Sequence, residues 1–158
     1  MARLTVLGLG NILMQDEGVG VRVMEAVRDG RRWPADIEFI DGGAGGMNLL
    51  NLIEQSASLV VFDAADMQLP PGQHRVITPE QVQREDLAGR VSLHRVPFLE
   101  TLELCRQFLA SPREVRILAI QPELIDYGRQ LSATLTDAMP DLAAAGTALV
   151  ESSLKECS

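Results

Sequence analysis

Val6-Leu7-Gly8-Leu9-Gly10-Asn11 is a short apolar run that stops at glycine and leads on to Asp16-Glu17-Gly18. The pattern recurs downstream: Phe39-Ile40 stops at Asp41-Gly42-Gly43, and Leu59-Val60-Val61-Phe62 stops at Asp63-Ala64. Unbroken apolar runs, rather than alternating ones, are what a strand buried on both faces requires, and such strands belong to parallel sheets covered by helices. Between the first two runs, Gly20, Val23, Met24 and Val27 recur at helical spacing, while Arg22, Glu25, Arg28 and Asp29 face the other way. That spacing predicts an amphipathic helix over about residues 18–29, stopped by Gly30. The expected fold is α/β: one three-layer α/β/α domain over residues 1–158, with a twisted, mostly parallel sheet of about five strands. In an open sheet of this kind, ligands sit past the carboxyl ends of the strands. Glu17, Asp41 and Asp63 therefore converge on one edge, where chemistry is to be sought.

The bulk composition agrees with one domain. A chain of 158 residues buries roughly two-thirds of its unfolded surface. It is 46% hydrophobic but only 4% aromatic, so the core is built from Leu, Val, Ile and Ala. A formal charge of -8 and a pI near 4.7 argue against nucleic acid or an anionic membrane as partner. No apolar run approaches the roughly 20 residues of a membrane span. Met1-Ala2-Arg3-Leu4 leads directly into a strand and lacks the layout of a signal peptide. Cys105 and Cys157 form no disulfide framework and no paired ligand spacing, so a reduced, cytoplasmic protein is expected.

The remaining elements follow from punctuation and periodicity. Trp33-Pro34 is a connector to a strand over about 37–40. A glycine-rich turn at 42–46 leads into a helix near 47–54 that buries Leu49, Leu50 and Ile53, and the third strand covers about 59–62. Leu69-Pro70-Pro71-Gly72 is turn chemistry, followed by a short edge strand at 74–77. Residues 79–88 form at best a short helix. A second amphipathic helix starts near Pro97 and buries Phe98, Leu102, Cys105 and Leu109. Residues 115–120 are the last strand. The Asp126-Tyr127-Gly128-Arg129 loop precedes a final helix, capped by Ser132 or Thr134 and kinked or interrupted at Pro140.

Several chemistries are disfavoured by what the motifs lack. Gly8 and Gly10 follow a strand, as in a dinucleotide fingerprint, but the third glycine position is Leu13 and no Lys-Ser/Thr phosphate loop exists elsewhere. Asp41 and Asp63 echo aspartic-protease half-sites without the small hydroxyl residue after each Asp, so a two-aspartate water-activating dyad is not expected. No Gly-x-Ser-x-Gly elbow is present. Cys105 falls on an apolar helix face and Cys157 is nearly terminal, so neither reads as a nucleophile. His74 sits in a polar connection beside Gly72 and reads as structural. His94, in Ser92-Leu93-His94-Arg95, lies where the chain returns toward the sheet, within reach of the strand-end carboxylates. One Glu, one Asp and one His form an O,O,N donor set suited to a divalent transition metal with open positions.

Val6-Leu7-Gly8-Leu9-Gly10-Asn11-Ile12-Leu13 with Asp16-Glu17-Gly18-Val19-Gly20-Val21 resembles the opening signature of the nickel–iron hydrogenase maturation endopeptidases. The resemblance continues through Asp41-Gly42-Gly43, Phe62-Asp63-Ala64, Ser92-Leu93-His94, Gln121-Pro122 and Asp126-Tyr127-Gly128, the last similar to uptake-hydrogenase members. It covers nearly the whole chain in order. One departure is Ala44, where members commonly carry Thr. The resemblance implies that Glu17, Asp63 and His94 contact nickel, with Asp16 and Asp41 as further candidates for base or orienter. It implies substrate contacts at Gly10, Asn11, Gly42, Gly43 and Gly45. The implied reaction is removal of a C-terminal peptide from a nickel-loaded hydrogenase large-subunit precursor. Such a peptidase is grouped with the aspartic type although the usual dyad is missing. Nickel is contributed by the substrate, and no tightly bound cofactor is expected in the isolated protein. The rival expectations are a non-proteolytic nickel chaperone using the same three ligands and a nucleotide-binding module, which Leu13 disfavours.

Overall fold

Leu4–Leu9 forms β1, buried at every position, and its side chains alternate between two apolar clusters. Leu4 and Val6 join Val23, Met24, Val27, Phe62, Leu118, Leu142 and Val150 on one face of the sheet. Leu7 and Leu9 join Ile53, Val61, Phe98, Leu102 and Ile117 on the other. A strand buried on both faces favours an apolar run, and its one polar side chain, Thr5, is buried too and accepts from the Ser56 hydroxyl at 2.8 Å.

The computed structural model describes residues 2–43, 48–87, 92–93, 96–109 and 112–157. After β1, a 3-10 turn at Gln15–Gly18 leads into α1, Val19–Asp29. Next come β2 (Ile37–Gly43), α2 (Asn48–Glu54), β3 (Ser58–Asp66) and β4 (His74–Ile77). The chain continues through α3 (Pro79–Leu87), β5 (Ser92–Leu93), α4 (Val96–Phe108), β6 (Glu114–Ile120) and α5 (Ala133–Glu156). The main sheet has the order β2-β1-β3-β6-β4. Its first four strands are parallel, with Val6 opposite both Phe39 and Val60, and Val61 opposite Ile117. β4 closes the edge antiparallel to β6. The two-residue β5 pairs antiparallel with the end of β3, Leu93 opposite Ala65 and Ser92 opposite Asp66. Helices α1 and α5 pack together on one face, and α2 packs with α4 on the other. The expected three-layer fold is therefore the observed one. No described helix is long and apolar enough to cross a membrane.

Four local expectations need correction. β2 runs on to Gly43 and β3 to Asp66, because ladder pairing with β1, β5 and β6 continues past the apolar side chains. Asp41 and Asp63 accordingly lie inside strands. α3 is a full helix of two turns and more, Pro79–Leu87, with Val82 buried. Leu109 lies one residue past α4 and is 41% exposed, although its N–H still donates to the Cys105 carbonyl at 3.0 Å: it stands at the helix end, beyond the packed layer. α5 continues without interruption through Pro140. Pro140 and Thr136, whose carbonyl loses its helical partner, are both exposed, so the freed oxygen lies on the solvent side of the helix. Ser132 rather than Thr134 caps α5, its Oγ accepting from the Leu135 N–H at 3.3 Å.

Candidate active site

Glycines set the geometry where the first loop folds back over the strand ends. Gly10 has φ +134°, and a Cβ there would lie 2.0 Å from the Glu17 carbonyl oxygen. A Cβ on Gly18 would meet the Ile12 Cα at 2.7 Å, and one on Gly20 would meet the Phe62 oxygen at 2.2 Å and the Leu9 oxygen at 2.4 Å. Only bare backbone fits, so the turn carrying Glu17 and the start of α1 lie directly against the carboxyl ends of β1 and β3. Glu17 is half-buried in that turn, which contacts β3. Asp63 follows Phe62 in β3 and is 2% exposed. The two-residue alternation of β3 places it on the same face as Val61 and Ala65.

Beside this pair, Gly10, Asn11, Ile12, Leu13, Asp41 and Gly43 line an open cleft of about 290 Å³. Its walls are tied together: the Gly10 N–H donates to the Gly43 carbonyl at 2.9 Å, joining the ends of β1 and β2. Asp41 is exposed and accepts from the Gly43 N–H at 2.8 Å, which stabilises the left-handed Gly43 at φ +53°. Asn11 accepts from the Leu13 N–H at 3.0 Å. A Cβ on Gly42 would press on Leu7 and Leu9 at 2.8 Å, so this glycine faces the core rather than the cleft.

The sequence-derived candidates thus separate. Glu17 and Asp63 share one edge, and Gly10, Asn11, Asp41 and Gly43 share the cleft next to it. His94 and Gly45 lie outside the described residues. Among the described residues, no group of three His, Cys, Asp or Glu side chains is arranged to hold a metal. Asp16, expected as base or orienter, is enclosed by the protein. It is 0% exposed and both carboxylate oxygens are engaged within the chain. Oδ2 accepts from the Glu123 and Leu124 N–H groups and the Ser132 hydroxyl, and Oδ1 from the Ser132 N–H. A carboxylate so enclosed is a brace between loops and is not available as a general base. Gln121 is a second brace that sequence reasoning missed. Its Oε1 accepts from Met67 N–H at 2.7 Å and Leu69 N–H at 3.3 Å, fixing the chain as it leaves β3. In the sequence it stands as a polar residue closing an apolar strand, within the Gln121-Pro122 pair. Cys105 is buried, and burial pushes its thiol pKa up, helped by the Glu54 charge, so it is no nucleophile.

Comparison with known proteins identifies the family. The family model for hydrogenase maturation proteases matches residues 21–148. The hydrogenase expression/formation protein HoxM of Azotobacter vinelandii is 39% identical over 127 residues, covering 80% of this chain and 61% of that relative's length. The hydrogenase 2 maturation protease of Escherichia coli K12 is 31% identical, covering 84% of this chain and 81% of that one. The solved hydrogenase maturating endopeptidase HybD from E. coli superposes with a TM-score of 0.83 at 28% identity, over 97% of this chain and 94% of that one. The family-model match, the relatives' identity and coverage, and the shared fold together place this chain in the hydrogenase maturation protease family.

Proposed function

We propose that the chain is a cytoplasmic endopeptidase that removes a C-terminal extension from a nickel-loaded nickel–iron hydrogenase large-subunit precursor. The observation that carries this reading is the juxtaposition, in a chain of this family, of the Glu17 turn and buried Asp63 on one edge of the sheet. His94 supplies the third ligand. The described residues just before it, Ser92 and Leu93, pair with Asp66 and Ala65, directly after Asp63 along β3.

Nickel arrives with the substrate. Two carboxylate oxygens and one imidazole nitrogen occupy vacant positions on it, a donor set that suits a divalent transition metal. Anchoring the metal fixes the neighbouring peptide bond against the protein, so catalysis begins as orientation. The attacking group is water, polarised by nickel or by a carboxylate, with Asp41 at the cleft as the further candidate for orienter or base. Gly10, Asn11 and Gly43 line the path of the substrate strand. Because the ligand set is completed only by the substrate, the isolated protein holds no metal tightly.

Incubation with nickel-loaded and nickel-free precursor tests this on one gel. The expected result is a shortened large subunit only where nickel is present. Equal cleavage of both precursors removes nickel from recognition. Tight nickel capture with no cleavage makes the protein a chaperone.

A further inference from the structure

We infer that Asp16 is a positioning residue, a buried clamp that sets the location of Glu17 by tying its turn to the loop between β6 and α5. The inference rests on the role proposed above for Glu17. Four donors converge on this one carboxylate: Ser132 N–H at 2.7 Å, Ser132 Oγ–H at 2.8 Å, Leu124 N–H at 2.9 Å and Glu123 N–H at 3.0 Å. The Asp16 N–H in turn donates to the Leu124 carbonyl at 3.1 Å. A bare carboxylate accepts from all of these donors at once, whereas an amide must turn its own N–H₂ toward some of them.

A second, independent observation concerns the residue before Asp16. Gln15 holds φ +50°, a left-handed conformation that a non-glycine residue adopts only under strain. It is held there from outside its own segment. Its N–H donates to the Gly128 carbonyl at 2.9 Å, and the Gly128 N–H donates to the Leu13 carbonyl at 2.8 Å. A strained turn gripped at Leu13, Gln15 and Asp16 is over-determined, and its product is the position of the next residue, Glu17. The clamp also reaches the base of α5, because the Ser132 hydroxyl that donates to Asp16 accepts from Leu135 N–H as the helix cap. The loop between Gln121 and Ser132 therefore cannot shift without moving the Glu17 turn.

Asp16→Asn tests the clamp in the full-length protein, by processing kinetics with nickel-loaded precursor and by amide hydrogen exchange without it. The expected outcome is turnover at saturating precursor reduced about 10²-fold, the loss that goes with a displacement near 1 Å. The KM should stay within about threefold, because the cleft and Asp63 are untouched; a threefold limit is well inside the tenfold that 1.4 kcal/mol represents. Leu149→Ala, a core truncation in α5 away from the site, serves as the destabilised control and should change neither constant in the folded protein. Wild-type turnover for Asp16→Asn, or an equal loss in Leu149→Ala, overturns the inference. If Asp16→Asn does not fold, Ser132→Ala carries the test. It removes one of the four bonds, and its turnover should fall severalfold at unchanged KM, whereas wild-type turnover overturns the clamp. If the wild-type protein cleaves no precursor, the proposed function fails, and exchange alone judges the clamp. Asp16→Asn, or Ser132→Ala in its place, should then speed exchange at Glu17, Glu123 and Leu124 while the strands of the sheet stay protected. Unchanged exchange at those amides overturns it.

Discussion

Gly20→Ala sets helix propensity against packing, and the two predict opposite signs. Replacing a helical glycine by alanine favours the helix by about 0.8–1.0 kcal/mol. Here the new Cβ would lie 2.2 Å from the Phe62 carbonyl oxygen and 2.4 Å from that of Leu9, both backbone atoms inside the parallel ladder. Neither can rotate away as a side chain would, so α1 must lift from the strand ends by about 0.8 Å to restore a 3.0 Å contact. Overpacking costs about 1–3 kcal/mol, and two rigid backbone contacts this short put Gly20→Ala in the upper part of that range, about 2–3 kcal/mol, leaving a net loss of about 1–2 kcal/mol after the propensity gain. For a domain of this size that lowers Tm by about 2–8 °C. The same lift displaces the Glu17 turn, so processing of nickel-loaded precursor should fall about 10–10²-fold. Thermal unfolding by circular dichroism and a gel-based processing assay read the two effects separately. Gly30→Ala is the control: it lies at the C-cap of α1 with φ −75°, and its Cβ would meet only local carbonyls at 3.0 Å and beyond. Its effect should stay within about 0.5 kcal/mol. A Gly20→Ala protein as stable as the wild type would refute the close-approach argument.

Glu17→Gln and Asp63→Asn keep side-chain shape while weakening donation to a divalent ion, so processing should be lost with nearly unchanged Tm; wild-type processing in Asp63→Asn removes that carboxylate from the ligand set. His94→Ala should abolish both cleavage and capture of nickel-loaded precursor, whereas His74→Ala, on exposed edge strand β4, should process normally. If His94→Ala still cleaves, nickel sensing rests on the carboxylates. Gln121→Ala leaves the buried Met67 N–H without its acceptor, costing about 1–3 kcal/mol in a thermal or urea unfolding curve; an unchanged midpoint refutes the brace. Iodoacetamide followed by mass spectrometry should label Cys157 in the native protein and Cys105 only after unfolding, because burial raises the Cys105 thiol pKa and so reduces its thiolate at any given pH.

What the sequence made legible were the elements whose residues carry their own signal. β1, β3 and α1 are long apolar or periodic segments, and Ser132 announces a cap by its chemistry. The edge that gathers Glu17, Asp63 and Asp41 followed from topology alone. Strand ends were less legible, because Asp41, Gly42 and Asp66 break the apolar pattern while backbone pairing continues through them. Asp16 could not be assigned from its neighbours, since its partners stand 107 to 116 positions away and three of its four bonds come from backbone amides. An N–H donor is the same at every residue type, so no sequence pattern marks it.

Stability and chemistry draw on separate residues in this fold, and the glycines mark the boundary between them. The two apolar clusters hold the layers together, and they meet the cleft at Asp41 through Ile12, which packs against one of them and lines the cleft. Exposed Asp41 and half-buried Glu17 contribute little burial, so exchanging them tests function with little loss of fold. Asp16 and Gln121 are polar but buried, and changing them affects both fold and site. Gly10, Gly18 and Gly20 contribute neither charge nor apolar area. Their contribution is the absence of a Cβ, which lets a turn bearing a carboxylate approach the end of β3 to backbone contact distance. A sequence that kept every acid and the whole core but replaced these glycines would retain all the proposed chemistry and lose the geometry that joins it.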